Sequence, residues 1–422
     1  MSKLIIEGVK AGEKLTGEIT VAGSKNASAG LIPATILAAG PCRLTNVPQV
    51  TDVQGLIQIL ASMGAKVEKK DHEVMIDTAN LDPAKIDMKL VGKMRMSILM
   101  MGALISRFDQ IQIPKPGGCK IGARPVGTHF DALEALGAKI EKKDGTFQVT
   151  KTKRLRGVEM TLDEFSVTAT ENAVLAAVMA TGQTIIHTAA QEPHIVTLCH
   201  YLNKMGAKIS GVGTHDLTII GVDKLTPADF EVIPDYIEMG TFVCLAAATR
   251  GEITIKNFRP QDLRLELIIF KKLGVNFEIK GDTCVVRPGK LAAIRKVECR
   301  PSPGLAADLL APIAALLTQA EGTTLVFDTM YEGRIRNYIP ELVKLGANAV
   351  IADPHRAMVT GPTPLYGGRT TSIDLRAGAA LIIAALMADG KTEIDNAEQI
   401  DRGYEKIVER LQSLGAKIKR EK

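Results

Sequence analysis

The 422-residue chain has no tryptophan and only 16 other aromatic residues, 10 Phe and 6 Tyr. So few stacking rings, with 52 basic and 47 acidic residues interspersed to a net charge of +5, exclude a dedicated nucleic-acid surface. The balance still suits a small anionic substrate. No C-x-x-C pair occurs among Cys42, Cys119, Cys199, Cys244, Cys284 and Cys299, and their spacing is irregular. That argues against a disulfide framework and for reduced thiols in a cytoplasmic protein. The apolar runs, such as residues 377–388, fall short of the ~18–20 residues of a membrane span. The opening segment Lys3-Leu4-Ile5-Ile6-Glu7 reads as a strand rather than a secretory leader. His194 and His200 lie outside any H-E-x-x-H context, and neither a phosphate-binding G-x-x-x-x-G-K-[ST] nor a dinucleotide G-x-G-x-x-G after a strand is found. No metal and no cofactor are expected. The sequence does not specify an oligomeric state and is compatible with a monomer.

What the chain does have is a repeat. Leu-Gly-Ala or a near variant recurs at Gly64, Gly137, Gly206, Gly274, Gly346 and Gly415, at separations of 73, 69, 68, 72 and 69 residues by subtraction of those positions. Repeats of that length impose pseudo-symmetry on a fold. Each unit runs from an extended segment through a short polar motif into an apolar helix, then a turn, a strand, a second polar motif and an amphipathic helix ending at the glycine. The first helices, such as residues 173–180, 242–248 and 309–317, are apolar on most sides and read as buried all round. The second helices carry charge on one side, as in Tyr404-Glu405-Lys406-Ile407-Val408-Glu409-Arg410-Leu411. With 46% hydrophobic residues the chain can bury two large cores. The expected fold is α/β: two similar domains, each of three pseudo-symmetric α/β repeats closed around buried helices, an inside-out α/β barrel. Residues 23–233 would form the first domain, and residues 1–22 with 234–422 the second, the active site lying in the cleft between them.

The polar motifs stand where helices begin, and helix starts present unpaired N–H groups and a positive dipole end to anions. Before the buried helices they are Gly23-Ser24-Lys25-Asn26, Lys93-Met94-Arg95-Met96-Ser97, Ser166-Val167-Thr168, Pro234-Asp235-Tyr236, Ala306-Ala307-Asp308 and Asp374-Leu375-Arg376. Before the amphipathic helices they include residues 119–124, Glu332-Gly333-Arg334 and Asp401-Arg402. Singly, Lys25, Arg95, Arg124, Arg334, Arg376 or Arg402 would be a solvated surface charge. Six cations at matched places in a repeat suit a phosphate or carboxylate, which arginine grips with two donors. Asp235 and Asp308 occupy slots where other units carry cations. They are candidates for a general base or a hydroxyl contact, and equally for plain helix caps. The second unit breaks the pattern with Pro-Gly-Gly-Cys-Lys-Ile-Gly-Ala-Arg-Pro at 116–125, an irregular loop placing Cys119 among cations that raise its reactivity. The other five cysteines sit in strand or helix patterns and read as packing.

The block at 116–125, with Gly23-Ser24-Lys25-Asn26-Ala27, Met94-Arg95, Gly240-Thr241-Phe242, Asp374-Leu375-Arg376 and Asp401-Arg402-Gly403-Tyr404-Glu405, resembles the enolpyruvyl transferases along the whole chain. The resemblance implies the two-domain fold above. It also implies transfer of the enolpyruvyl group of phosphoenolpyruvate to the 3-hydroxyl of UDP-N-acetylglucosamine, releasing phosphate by addition and elimination, in the first committed step of peptidoglycan and so cell-wall synthesis. By the same resemblance Lys25, Arg124 and Arg402 hold phosphoenolpyruvate beside Asn26. Cys119 donates a proton to the methylene carbon, and Asp308 accepts or positions the sugar hydroxyl. Arg95, Arg124, Pro125, Val126, Gly127, Thr128, Glu164, Phe165, Ser166, Val167, Asp308 and Met330 line the nucleotide-sugar site, and Arg334 and Arg376 complete the substrate contacts. The sequence departs from the family pattern at Gly127-Thr128, at Ala306-Ala307, at Tyr236 and at Gly333, positions nearer the nucleotide sugar than phosphoenolpyruvate. The Gly127, Ala307 and Gly333 changes keep open a non-catalytic relative that binds the nucleotide sugar and regulates a partner; another acceptor, such as shikimate 3-phosphate, is a separate alternative.

Overall fold

The recurring glycine has a backbone cause. A computed structural model describes residues 2–10, 12–118, 122 and 125–421. In it all six glycines take left-handed conformations, with φ from +79° at Gly274 to +105° at Gly206. In each repeat the residue after the glycine donates its N–H to the carbonyl five residues back: Ala65 to Leu60, Ala138 to Leu133, Ala207 to Leu202, Val275 to Phe270, Ala347 to Leu342 and Ala416 to Leu411, all at 3.0–3.1 Å. This is the six-to-one closure that satisfies the last carbonyls of a helix, and it needs a residue that tolerates positive φ. The amphipathic helices end there and the chain turns directly into a strand.

Six sheets follow from six repeats. In the third repeat Glu159–Thr161 leads into the inner helix Val167–Ala177 and back to Gln183–His187, which pairs in parallel with the first strand. The outer helix Pro193–Lys204 and the hairpin Lys208–Ser210 with Leu217–Ile220 complete the unit, Leu217–Ile220 lying antiparallel against Gln183–His187. The same parallel crossover, which needs a helix between its strands, recurs in the fifth and sixth repeats, at Lys296–Cys299 with Gly322–Asp328 and at Arg369–Thr371 with Lys391–Asp395. Two repeats borrow the parallel strand. Phe230–Glu231, at the end of the third repeat, pairs with Pro41–Thr45 of the first, and Thr16–Thr20 pairs with Glu252–Lys256 of the fourth. The sixth sheet takes Lys3–Glu7 between Lys391–Asp395 and Lys417–Glu421. The N-terminal strands thus join the sixth and fourth repeats of one ring, and Phe230–Glu231 joins the third to the first in the other.

The chain accordingly divides into two compact units, Gly23–Cys119 with Arg124–Ile233, and Met1–Ala22 with Pro234–Lys422. In the second of these the inner helices Tyr236–Ala248, Leu310–Leu317 and Leu375–Met387 pack on one another. All thirteen residues of the first and all eight of the second are buried, each Leu or Ile contributing roughly 1.5–3 kcal/mol. The sequence pattern expects a helix over 404–411. The structure instead begins it at Ile407, because Tyr404 turns into the core (1% exposed) to meet Thr241 Oγ1 at 2.9 Å, and Lys406 takes φ +42° to re-enter the helix. Likewise the motif at 93–97 does not open a regular helix: Arg95–Leu99 forms a 3₁₀ turn, and Ser97 Oγ donates back to Val91 O and Met94 O. Cys42, Cys199, Cys244, Cys284 and Cys299 are buried and unbridged. Among the described residues no helix is long and apolar enough to cross a membrane.

At Gly206 an added Cβ would meet nothing within 4 Å, so Gly206→Ala carries only the backbone penalty of a left-handed alanine, about 1 kcal/mol. A urea titration is expected to show a lower midpoint at unchanged slope. No shift would mean that the recurring glycine is not a conformational requirement.

Candidate active site

In the unit that ends the chain, three helix-start slots converge on one carboxylate. Asp308 lies in the 3₁₀ turn Ala307–Leu309 that opens Leu310–Leu317. Arg376 is the second residue of Leu375–Met387, whose cap Asp374 accepts from the N–H groups of Arg376 and Ala377, each at 2.9 Å. Arg334 begins the 3₁₀ turn Arg334–Asn337, entered through Gly333 at φ +87°. Arg334 Nη2 donates to Asp308 Oδ1 at 2.7 Å and Arg376 Nε to Asp308 Oδ2 at 3.0 Å, so each carboxylate oxygen takes a guanidinium. The turn is fixed from behind: Ala306 N–H donates to Glu266 Oε1 at 3.0 Å, and Asn337 Nδ2 donates to Asp374 Oδ2 at 2.7 Å.

The cluster carries more positive donors than it uses. Arg334 is 6% exposed and Arg376 2%. Nε and Nη1 of Arg334 and Nη1 and Nη2 of Arg376 are buried without a hydrogen-bond acceptor among the described residues. Burial disfavours the Arg334 charge, but Asp308, Tyr331, Asp374 and Asp328 outweigh it and raise its pKa above the ordinary value. Arg376 is raised likewise, with burial opposed by Tyr404, Asp308 and Asp235. Both therefore stay cationic, and buried charged donors left unmatched are costly. A ligand with two anionic groups would satisfy them. Asp235 takes the cap role: its Oδ1 accepts from Ile237 N–H (2.9 Å) and Glu238 N–H (3.2 Å), and burial raises its pKa. Arg402 closes the 3₁₀ turn Ala397–Arg402 and donates from Nη1 to Gln399 Oε1 at 3.1 Å. Met330 hangs from Asp328 Oδ1 through its N–H (3.0 Å).

In the other unit Lys25 opens the inner helix Lys25–Ala34, with Ser24 Oγ capping Ala27 N–H at 3.2 Å. The lysine is 8% exposed; its Nζ lies 3.5 Å from Met96 Sδ and 3.9 Å from Asp52 Oδ2, and Asn26 beside it is half-buried. Arg95 Nη2 donates to Pro125 O at 2.9 Å. Val126 precedes the helix Gly127–Ala135, and Thr128 Oγ1 donates to Asp163 Oδ1 at 2.6 Å, with Glu164 Oε1 at 3.4 Å. The 125–128 stretch is thereby tied to the 163–167 stretch. There Phe165 stands 38% exposed with its ring edge-on to His215 (4.6 Å between centroids), and Ser166 leads into the helix at Val167. Cys119 and Arg124 lie outside the described residues. The entry to their loop shows why it starts with paired glycines: a Cβ on Gly117 would sit 2.1 Å from Gly92 O, and Gly118 takes φ +124° against Arg95.

Two charged residues beyond the motifs matter to these sites. Glu266, on a charged outer helix, looks like an ordinary surface residue in sequence. Glu171 interrupts the apolar pattern of Val167–Ala177, the one signal that it is unusual. It is 2% exposed and its Oε1 has no hydrogen-bond partner among the described residues.

The chain matches the family EPSP synthase (3-phosphoshikimate 1-carboxyvinyltransferase) over residues 9–411. It is 42% identical over 430 residues to the UDP-N-acetylglucosamine 1-carboxyvinyltransferase of Borrelia garinii, all of both chains being covered. It is 43% identical over 425 residues to UDP-N-acetylglucosamine 1-carboxyvinyltransferase 2 of Carboxydothermus hydrogenoformans, covering 100% of this chain and 99% of that one. Among solved structures it is similar to the enolpyruvyl transferase NikO from Streptomyces tendae, with a TM-score of 0.88 at 26% identity over 100% of this chain and 99% of the other. EPSP synthase from Acinetobacter baumannii shares the fold, with a TM-score of 0.75 at 21% identity over 99% of each chain.

Burial, and then Glu192, push the Glu171 carboxyl well above the usual range, Lys25 pulling the other way. A carboxyl raised in the folded state favours folding while it is protonated, and that contribution is lost as pH rises from the unfolded value towards the folded one. Glu171→Gln keeps the shape without the charge. The variant is expected to have a higher urea midpoint than the parent at pH 8, with the gap closing towards pH 5. A lower midpoint at pH 8 would mean that Glu171 is ionised and paired.

Proposed function

Because the chain belongs to the EPSP synthase family of enolpyruvyl transferases, we propose that it transfers the enolpyruvyl group of phosphoenolpyruvate to the 3-hydroxyl of UDP-N-acetylglucosamine. The acceptor is the one in the names of its full-length relatives, and the reaction commits that sugar to peptidoglycan synthesis. The observation that carries the reading is the Asp308 cluster: a fixed carboxylate flanked by buried guanidinium nitrogens that lack acceptors among the described residues. Such a site joins a group able to take a hydroxyl proton to donors for anionic oxygens.

In the addition step the sugar hydroxyl oxygen bonds to C2 of phosphoenolpyruvate. Asp308 takes the hydroxyl proton, and the electron pair of the C2–C3 double bond takes a proton at C3 from the Cys119 thiol. The product is a tetrahedral ketal still bearing phosphate. In the elimination the Cys119 thiolate takes a proton back from C3, the C–H pair reforms the double bond, and the C2–O bond to phosphate breaks with its electron pair leaving on phosphate. Lys25, Arg124 and Arg402 hold the phosphate and carboxylate of phosphoenolpyruvate, and Arg334 and Arg376 neutralise the charge beside Asp308. Arg95, the 125–128 stretch, residues 164–167 and Met330 hold the nucleotide sugar. Donors fixed before the reaction do not have to reorganise as charge shifts, which is where most of their catalytic effect arises. We place the protein in the cytoplasm, a reading supported by its five buried, unbridged cysteines.

Purified protein is expected to release phosphate from phosphoenolpyruvate only when UDP-N-acetylglucosamine is present. No release at saturating substrates overturns the proposal, and release driven by shikimate 3-phosphate instead reassigns the acceptor. Asp308→Asn keeps hydrogen-bonding capacity but not basicity, and should lower kcat by roughly 10²–10⁴-fold. Cys119→Ser should lose most activity, an alcohol being a far weaker acid than a thiol; turnover at the parent rate in that variant would remove Cys119 as the proton donor.

A further inference from the structure

Arg334 is held at one corner only by a hydrogen bond, that from Nη2 to Asp308. Its Nε and Nη1 make none among the described residues, so hydrogen bonding alone leaves the guanidinium plane free to swing about that corner. Another contact limits the swing. The Tyr331 ring covers the guanidinium, its centroid 4.4 Å from Cζ, within the ~6 Å over which a ring face attracts a cation.

The placement of Tyr331 is itself built. Asp328 ends the strand Gly322–Asp328 with no exposed surface. Its Oδ1 accepts from the N–H groups of Met330 (3.0 Å) and Tyr331 (2.9 Å) and from the Cys299 thiol (3.2 Å). Its backbone is locked to His355: Asp328 N–H donates to His355 O and His355 Nδ1 to Asp328 O, each at 2.8 Å. Thr329 Oγ1 donates to Cys299 O at 2.6 Å. The chain thus leaves the sheet with Tyr331 suspended from a buried carboxylate. Gly333 at φ +87° then turns it back so that Arg334, three residues on, lies against that ring.

We propose that Asp328 and Tyr331 are positioning residues for Arg334, the aspartate fixing the turn and the ring fixing the guanidinium plane, so that its unused nitrogens meet the substrate in one orientation. The activity part of this inference rests on the proposed function; the geometric part does not. The ring and not its hydroxyl does the work, so Tyr331→Phe should match the parent and Tyr331→Leu should not. An amide oxygen can accept the two backbone N–H groups as well as a carboxylate can, so Asp328→Asn should be mild and Asp328→Ala severe.

The test combines steady-state kinetics with side-chain NMR of arginine-labelled protein, in which the Arg334 Nε–H signal is assigned by its loss in Arg334→Lys. The ring should displace that signal in the parent and in Tyr331→Phe, and Tyr331→Leu should return it towards the free-arginine position. In parallel kcat should fall about tenfold in Tyr331→Leu and in Asp328→Ala with both KM values within about twofold, the thermal midpoint of Tyr331→Leu staying near that of the parent. An unmoved signal with unchanged kcat in Tyr331→Leu overturns the proposal, as does Tyr331→Phe behaving like Tyr331→Leu. An inactive parent with the displaced signal still present sinks the proposed function and leaves the positioning intact.

Discussion

A helix buried on every side has no solvent to satisfy its first N–H groups, so its N-terminus must be capped by side chains or by something bound. The inner helices of this chain live under that constraint. Ser24 caps one, Asp235 another and Asp374 a third. Because the inner helices are mostly apolar, with Glu171 and Thr241 among the exceptions, polar chemistry gathers where they begin. Lys25, Asp308 and Arg376 stand at three such beginnings. The candidate site is therefore a consequence of how the core is built: the demand that concentrates hydrophobic side chains along the inner helices also drives charge to their ends.

Around Asp308 the consequence is an excess of donors over acceptors. Two guanidiniums share one carboxylate, and four of their nitrogens are buried without an acceptor among the described residues. Folding that tolerates such groups gives up stability that a bound anion returns, which is how binding energy is reserved for a ligand rather than for the native state. The rigid surroundings maintain the excess. Glu266 holds the Ala306 backbone, Asn337 and Asp374 fix the neighbouring turn, and the Tyr331 and Tyr404 rings lie 4.4 Å and 5.3 Å from the two arginine Cζ atoms.

The repeat was the most legible feature. Six glycines at nearly even spacing follow from one backbone requirement, so the helix ends and the strands after them can be read directly from sequence. The slots holding Lys25, Asp308, Arg334 and Arg376 were legible for a related reason, since a polar interruption before an apolar run marks a helix or turn start, whereas Arg95 opens a 3₁₀ turn and Arg402 closes one. The 404–406 stretch misled because Tyr404 and Ile407 fit a helical period, and partners distant in sequence, Thr241 and Arg376, hold Tyr404 in the core outside the helix. Asp235 and Asp308 looked equivalent, yet one became a cap and the other an arginine-bound carboxylate. The difference lies in which residues from other repeats arrive beside each.

By itself the sequence determined what depends on local chemistry: the left-handed glycines, the apolar inner helices and polar helix starts, the lack of paired cysteines, and a cation-rich motif set shared with the enolpyruvyl transferases. Tertiary structure decided what depends on residues far apart in the chain. Lys3–Glu7 completes the sixth sheet, and Phe230–Glu231 extends the first. Arg334 and Arg376 meet at Asp308, and Asp328 hangs the Tyr331 turn over the arginine that follows it. Local propensity fixes an element because its hydrogen bonds close within a few residues. A charged cluster has no such short-range closure, and its geometry exists only once the repeats have packed.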